Sequence, residues 1–488
     1  MQRTEVLIVL DQGTSSSRAI AFDGSGRIVA AHTHAVETLR PQPGHAEMDP
    51  AQVLAAVDMV LNRTLEDAAR EHLRPVALGL SVQRSSFLFW HDARQESLTP
   101  ILTWQDTRAT AEAAQLGDRA DDVTGITGVL PGPYYGGPKF AHLLARDTDL
   151  RSAISASAKQ IKFIPLESLL IRHLTGGLFI DETIAGRTLL FDIHRRRWSD
   201  DLLTLFGVPE HALPELVPSR FDYGHCRWQD LNIPLIISMG DQQAAMTGLG
   251  AQAPGEVAIN LGTSGSVALH SGDRPRVAPG LLANVAFSTS AGVEYLLEGT
   301  INAVGALFAW FAQVWDQPAI ASQWPELIAN QTDVVMIPGV NGLAAPYWRP
   351  DIPTTFVPDL KGHSQPEQLR AGMESIAFLV HDILQSMGAG GKRLDLGEIH
   401  VGGGMAQPPL LQFLADLLQH PLHLHQVREA TARGVAIRLA QALGWDDLPA
   451  SPQREKTYEP AITTGQRDNH ITRWRQALTK VLDSAPGA

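Results

Sequence analysis

The chain has 488 residues, of which 44% are hydrophobic and 19% charged. That balance excludes a disordered polypeptide and allows a sizeable buried core. A net charge of −13 argues against nucleic acid as the main ligand, because neutralising phosphates takes clustered Lys and Arg. The one dense basic run, His194-Arg195-Arg196-Arg197, reads as a solvated turn. The single cysteine, Cys226, cannot form an internal disulfide or a zinc cage, and a reducing cytoplasm is the simplest compartment. At roughly 150 residues per domain the length suggests about three domains and fits two large ones equally well.

In chain order, Glu5 to Leu10 is a Val, Ile and Leu run, as expected of a buried strand. It is too short for a signal sequence, and no small-residue cleavage site follows. Asp11-Gln12-Gly13-Thr14-Ser15-Ser16-Ser17 is turn chemistry, and Arg18 to Asp23 and Arg27 to Ala31 are further strands around Gly24-Ser25-Gly26. The opening is thus a hairpin with an acidic, Gly-Thr-rich tip. A similar passage lies halfway along: strand Glu256 to Leu261, turn Gly262-Thr263-Ser264-Gly265-Ser266, strand Val267 to Leu269. Placing Gly13 on Gly262 also places Thr14 on Thr263, Ser15 on Ser264 and Ser17 on Ser266. Repetition at this scale suggests two domains of similar topology, residues 1–248 and 249–488, with a hinge around Gly248 to Gly255. Thr300 to Trp315 is the most apolar long stretch; it falls short of the roughly 20 residues that span a bilayer and reads as a buried helix. Pro366 to Met387 carries apolar residues at helical spacing behind a first-turn proline, Glu429 to Leu443 is similar, and Ser451 to Gly465 is loop-like. Ser484 to Ala488 reads as a frayed end. Strands mixed with such helices make an α/β protein.

No G-x-x-x-x-G-K-[ST] loop, H-E-x-x-H or G-x-S-x-G motif is present. Three positive features stand out. Asp11 with Gly13 and Thr14 suits a metal and a phosphate, since glycine removes bulk and backbone N–H groups and hydroxyls donate, with Arg18 a fixed cation nearby; an ordinary surface β-turn has the same composition. Asp241 follows an apolar strand ending at Gly240, the place where ligands bind in open α/β sheets; it suits a base for a substrate hydroxyl, or equally a helix N-cap. Val401-Gly402-Gly403-Gly404-Met405 joins a strand to the helix that Pro408-Pro409 opens; it suits a flat ligand lying against backbone, or a tight turn.

Taken together and in this order, the segments resemble the FGGY carbohydrate kinases, and among them the glycerol kinases most closely. They are Leu10 to Arg18; Gly44-His45-Ala46-Glu47-Met48-Asp49-Pro50; Gln83-Arg84; Thr103-Trp104-Gln105; Pro133 to Lys139; Gly186 to His194; Gly240 to Ala245; Leu261-Gly262-Thr263; Leu297-Glu298-Gly299; Gly342 to Trp348; and Val427-Arg428-Glu429. The resemblance implies two actin-like, ribonuclease-H-like domains with a nucleotide and substrate cleft between them. It implies ATP and Mg²⁺ as cofactors and a small polyol or sugar as substrate, with ATP mainly on the second domain and the polyol on the first. Asp11 would hold Mg²⁺ through water. Gly13, Thr14, Ser15, Arg18 and Thr263 would serve the phosphates, and Gly305 and Gly404 would line the nucleotide site. Arg84, Ser85, Trp104, Tyr134, Asp241 and Gln242 would face the substrate, with Asp241 the general base. Neither nucleic acid nor membrane is expected as a partner, a cytoplasmic location is expected, and relatives are often homodimers or homotetramers.

Departures from the family pattern matter. Glycerol kinases carry Glu after Gln-Arg where this chain has Ser85, and Phe where it has Ser266. A lost carboxylate partner for two hydroxyls costs about 1–3 kcal/mol per unpaired group, so the expected substrate is longer than glycerol. A family Gln is Ala309 and a family Asn is Pro408, which weakens the inherited adenine and ribose contacts. The segment Tyr223 to Pro234 is shorter than the loop that binds a sugar bisphosphate regulator in some glycerol kinases, so that regulation is not expected. The competing readings are a glycerol kinase proper, a catalytically silent sensor on the same fold, and an actin-like filament or chaperone ATPase.

Overall fold

The computed structural model describes residues 4–359, 362–388, 395–427 and 429–484; Arg428 of the Val427-Arg428-Glu429 segment and residues 485–488 of the expected frayed end lie outside them. The principal elements of the first half are β1 (Glu5–Gln12), β2 (Ser16–Phe22), β3 (Ile28–Ala35), α1 (Pro50–Arg70), β4 (Arg74–Val82), β5 (His225–Trp228), β6 (Leu231–Gly240) and α2 (Asp241–Leu249). Those of the second are β7 (Val257–Leu261), β8 (Gly265–Gly272), β9 (Leu282–Ser288), β10 (Val293–Ile301), α3 (Gly305–Val314), α4 (Gln365–Met387), β11 (Ile399–Gly402), α5 (Pro408–Leu418), β12 (Leu422–His425), α6 (Ala430–Leu443), β13 (Arg454–Tyr458) and α7 (Thr464–Ser484).

Each half is built on one large sheet. The first has the order β5-β6-β4-β1-β2-β3 and the second β9-β10-β8-β7-β11-β12-β13. In both, a strand pairs antiparallel with its successor and, on its other side, parallel with a later strand that itself pairs parallel with a further one: β1 with β2 and with β4, which pairs β6; β7 with β8 and with β11, which pairs β12. The repeat expected from the two Gly-Thr-Ser tips is therefore a repeat of topology.

β1 is apolar throughout because both faces of its sheet are covered. Val6, Ile8 and Leu10 pack with Val53, Val57, Val60 and Leu65 of α1. The alternate residues Leu7 and Val9 pack with Ala432, Val435, Ala436 and Leu439 of α6, so a helix from late in the chain closes the first sheet. It lies very close. A Cβ on Gly79 of β4 would stand 2.4 Å from Val435 Cγ1. One on Gly248 would meet the Ala430 carbonyl oxygen at 1.8 Å, and one on Gly434 the Ala244 carbonyl oxygen at 1.9 Å. Helices α2 and α6 thus cross backbone against backbone through two glycines, and Gly248 is a packing position inside α2. The chain leaves α2 at Gly250, whose φ is +112°.

Several expected elements are corrected. Asp11 and Gln12 end β1 rather than open the turn, because both continue the ladder, Asp11 opposite Arg18 and Gln12 opposite Ser17. The second tip is one residue tighter: Leu261 pairs with Gly265, so Ser266 is not the ladder equivalent of Ser17. Thr300 and Ile301 finish β10, and the helix occupies only Gly305–Val314. The stretch expected as loop from Ser451 to Gly465 contains β13, an edge strand paired with β12. Glu429 precedes α6 as its N-cap instead of beginning the helix. Cys226 is buried, which pushes its thiol up to about 11. Among the described residues no helix is long and apolar enough to cross a membrane.

Candidate active site

The two hairpin tips and the carboxyl ends of the parallel strands form the site. At the first tip the Gly13 N–H donates to the Ser16 carbonyl at 3.0 Å, which leaves Thr14 half-buried and Ser15 exposed. The Thr14 hydroxyl donates to Gln83 Oε1 at 3.0 Å and accepts from Trp104 Nε1 at 2.8 Å. The first hairpin tip and Trp104 are thus tied together through the Thr14 hydroxyl. Trp104 and Tyr134 both remain exposed, at 44% and 42%, although they are large apolar residues; Tyr134 stands edge-on to Tyr135 with centroids 6.4 Å apart.

Asp11 is buried beside the tip. Its carboxylate lies 3.8 Å from Arg18, and Arg18 lies 3.1 Å from Glu429, just ahead of α6. Burial pushes the Asp11 carboxyl up to about 6; Arg18 pulls it down, while the negative charges of Asp241 and Glu429 push it further up. Asp11 is a carboxylate oxygen donor in the field of two further carboxylates, which fits one protein ligand to a hard divalent cation such as Mg²⁺.

Asp241 is the first residue of α2, and Gly240 rather than Asp241 is the helix N-cap. Its side chain keeps 29% exposure to the cleft, with Arg84 Nε 3.5 Å away. Burial between the cleft walls raises its carboxyl above the usual range; Arg84 and the Gln242 N–H lower it, and Glu298 raises it. Gln242 is half-buried beside it. Gly240 has no room for a side chain, since a Cβ there would meet Gln243 Oε1 at 2.6 Å and Arg84 Cδ at 2.9 Å.

Arg84 is held by Glu298 of β10, a residue given no role by the sequence reading. Both N···O distances are 3.0 Å. Arg187 also donates to Glu298. Burial alone would raise Glu298, but Arg187 and Arg84 outweigh it and hold the carboxylate below its usual range. Ser85 is buried with φ +59°, and its carbonyl accepts from Lys139 Nζ at 2.8 Å. The buried Lys139 also donates to the Thr103 carbonyl at 2.7 Å, so one ammonium supports the chain beside both Arg84 and Trp104. Burial pushes Lys139 down to about 7. Ser266 pairs with Thr300 and Ala268 with Glu298, which puts Ser266 on the same face of the second sheet as Glu298, two pairs along.

At the second tip Thr263 and Ser264 are exposed. The Gly305 N–H donates to the Gly262 carbonyl at 3.0 Å, and the Thr263 carbonyl accepts from Val304 and Ala306, so the tip caps α3. A Cβ on Gly305 would lie 3.1 Å from the Gly262 oxygen, which explains glycine there as close packing. Gly403, with φ +100°, passes over the end of β7, where a Cβ would stand 2.3 Å from the Leu261 oxygen. Gly404 next to it is exposed with nothing within 4 Å of a built Cβ. Ala309 and Pro408 are both exposed. The structure thus brings Asp11, Arg18, Arg84 and Asp241 together from the first half and adds Glu298 and Glu429 from the second. Thr263, Gly305 and Gly404 converge around the end of β7. The roles of Glu298, Glu429, Arg187 and Lys139 were missed, although all four lie in segments that carried the family resemblance.

Profiles for the FGGY family of carbohydrate kinases match the chain twice, the N-terminal domain over residues 6–248 and the C-terminal domain over 257–443. A glycerol kinase of Leptothrix cholodnii is 34% identical, covering 98% of this chain and 99% of that protein. One of Bordetella pertussis is 33% identical, covering 98% and 97%. Among solved structures, glycerol kinase of Plasmodium falciparum with ADP superposes with a TM-score of 0.88 at 22% identity over 98% of both chains. Xylulose kinase of Lactobacillus acidophilus does so with a TM-score of 0.89 at 22% identity over 99% of both. The two-domain actin-like architecture is that of these structures.

Proposed function

The chain belongs to the FGGY family of carbohydrate kinases and is an ATP-using phosphotransferase with an alcohol group as acceptor; from that premise we propose that its acceptor is a polyol or sugar longer than glycerol. The observation that carries this reading is the small Ser266 beside the Arg84–Glu298 pair, where the glycerol kinase pattern has a phenylalanine. A serine takes up less room there than a phenylalanine would, and the difference would accommodate further carbons of an acceptor.

In the proposed mechanism Arg84 orients the acceptor hydroxyls, with Trp104, Tyr134, Gln242 and Ser85 as the surrounding wall. Asp241 accepts the proton of the attacking hydroxyl; its raised carboxyl makes it a stronger base than an exposed aspartate. Asp11 would hold Mg²⁺, which supplies neutralisation of phosphate charge. Gly13, Thr14, Ser15, Arg18 and Thr263 would position the phosphates between the two tips, and Gly305 and Gly404 would shape the nucleotide site. The division into residues 1–248 on the substrate side and 249–488 on the ATP side belongs to the same reading. Glycerol kinase proper is the second reading, favoured by full-length identity to glycerol kinases. ADP release from Mg-ATP, measured with glycerol, erythritol, xylitol and D-xylulose, separates the two. Fastest turnover with a four- or five-carbon acceptor supports the longer substrate, and near-full activity on micromolar glycerol sinks it. Asp241→Asn tests the base: turnover should fall by roughly 10²–10⁴.

A further inference from the structure

Behind Gly240 and Asp241 lies a buried polar relay that neither the resemblance nor the mechanism above uses. The Gly240 N–H donates to Thr183 Oγ1 at 2.8 Å. The Thr183 hydroxyl in turn donates to Asp181 Oδ1 at 2.8 Å. Asp181 Oδ2 accepts from Thr183 N at 3.0 Å and from the Ser219 hydroxyl at 2.7 Å. Two residues back along β6, the Ser238 hydroxyl donates to Glu167 Oε1, and Glu167 Oε2 accepts from Asp181 N at 3.1 Å. Thr183, Asp181, Glu167, Ser219 and Ser238 are each 0% exposed. Alternate residues at the end of β6 are therefore anchored to two buried carboxyl groups, Ser238 directly to Glu167 and Gly240 through Thr183 to Asp181.

Thr183 is the member that touches the catalytic strand and the second half of the chain at once. Its hydroxyl receives Gly240, and its carbonyl accepts from Asn284 Nδ2 of β9 at 2.9 Å. It sits in the one-turn helix Glu182–Ala185, which Asp181 caps by accepting from Thr183 N and Ile184 N. A threonine hydroxyl has one proton to give. Because Asp181 takes that proton, the oxygen is left as an acceptor for Gly240. Gly240 is packed closely against Arg84: a Cβ built on it would stand 2.9 Å from Arg84 Cδ. Its N–H direction consequently sets where the Asp241 carboxylate stands relative to Arg84.

We propose that Thr183 is a positioning residue for the phosphoryl-transfer step: its hydroxyl, oriented by Asp181, holds the Gly240 peptide so that Asp241 faces the acceptor hydroxyl, and its carbonyl couples this placement to the second half of the chain through Asn284. The inference rests on the reading of Asp241 as the base. It extends that reading to a residue that touches no substrate.

The test compares Thr183→Val, which keeps the shape and removes the acceptor, with Thr183→Ser, which keeps the hydroxyl. The acceptor is the fastest of glycerol, erythritol, xylitol and D-xylulose. The expected result is a kcat loss of about tenfold or more for T183V with the KM for ATP within about twofold, the kind of loss a small misplacement causes. T183S should recover most of the rate. Hydrogen exchange at the Gly240 amide, followed on the intact protein, should speed up in T183V and not in T183S. A folded T183V with undiminished kcat, or a T183S as slow as T183V, overturns the proposal. If T183V does not fold, Thr183→Cys, of similar size with a weaker acceptor, is judged by the same two readouts. D241N with full turnover would instead fail the underlying reading, whatever Thr183 does.

Discussion

Arg84 and Glu298 stand 214 residues apart and meet in a two-pronged ion pair, with both N···O distances 3.0 Å. One partner follows a strand of the first sheet and the other lies on a strand of the second. The two sheets are therefore joined by a buried charge pair, with Arg187 as a third member.

Glu298→Gln should destabilise the protein strongly. The carboxylate is the shared counter-charge of two buried guanidinium groups. Removing one partner of a buried pair costs roughly 3–5 kcal/mol, because the remaining charge stays desolvated. Thermal melting would show it. Arg84 should also turn toward Asp241, already 3.5 Å away, and the acceptor KM should rise in whatever fraction folds. A melting temperature within a degree or two of wild type would contradict this account.

Ser266→Phe should narrow the pocket. Ser266 is half-buried on the same face as Glu298, so a ring there would take up room on the face that carries Arg84's partner. The ratio of kcat/KM for glycerol to that for xylitol should rise by about tenfold, on the scale of 1–3 kcal/mol for a methylene-sized mismatch. Acceptor competition assays check it, and an unchanged ratio would remove Ser266 from the specificity argument.

Gly434→Ala should cost about 3 kcal/mol, at the upper end of the usual cost of overpacking. The added methyl would stand 1.9 Å from the Ala244 carbonyl. That carbonyl belongs to α2, so the helix must move and Asp241 at its start with it. Denaturant unfolding and turnover should fall together; a neutral substitution would mean that α2 and α6 separate freely.

Stability should decline in mild acid through a buried histidine pair. His400 Nδ1 and His425 Nε2 lie 3.0 Å apart, and His400 is 1% exposed, its Nε2 without a hydrogen bond and 3.8 Å from Glu398. Burial, then the neighbouring His425, push His400 down from 6.5 to about 4; Glu256 and Glu398 oppose this and His423 adds to it. The folded pKa lies below the unfolded one, so the unfolded chain binds the proton first. Stability is intact above pH 6.5 and falls as pH drops toward 4, by about 2 kcal/mol at pH 5. Thermal melts from pH 7.5 to 5 should show the loss, and His400→Gln should flatten it.

Local chemistry and pattern carried much of the outcome. The apolar runs of β1 and β6, the repeated Gly-Thr-Ser tips, and the helices behind Pro366 and Pro408 followed from periodicity and turn composition, because those preferences act over a few residues. The family resemblance rested on such short segments; Asp11 and Asp241 stood out locally as carboxylates at the ends of apolar strands, and the resemblance gave them roles. Element ends were less legible. Asp11 and Gln12 look like turn residues but finish the ladder, and Thr300 and Ile301 look helical but finish a strand, since a neighbouring strand decides how far pairing runs.

What the sequence by itself determined was the family, the two-sheet plan and the residues at strand ends that carry charge or hydroxyls. Only the tertiary structure decided which distant groups those residues meet. Glu298 answers Arg84, Glu429 answers Arg18, Lys139 supports Ser85, and Thr183 receives Gly240 because separate strands and helices close on one another at the cleft. The physical reason is range: turn and strand preferences are settled among neighbours in the chain, whereas a buried charge is settled by whatever counter-charge packing delivers from far along it.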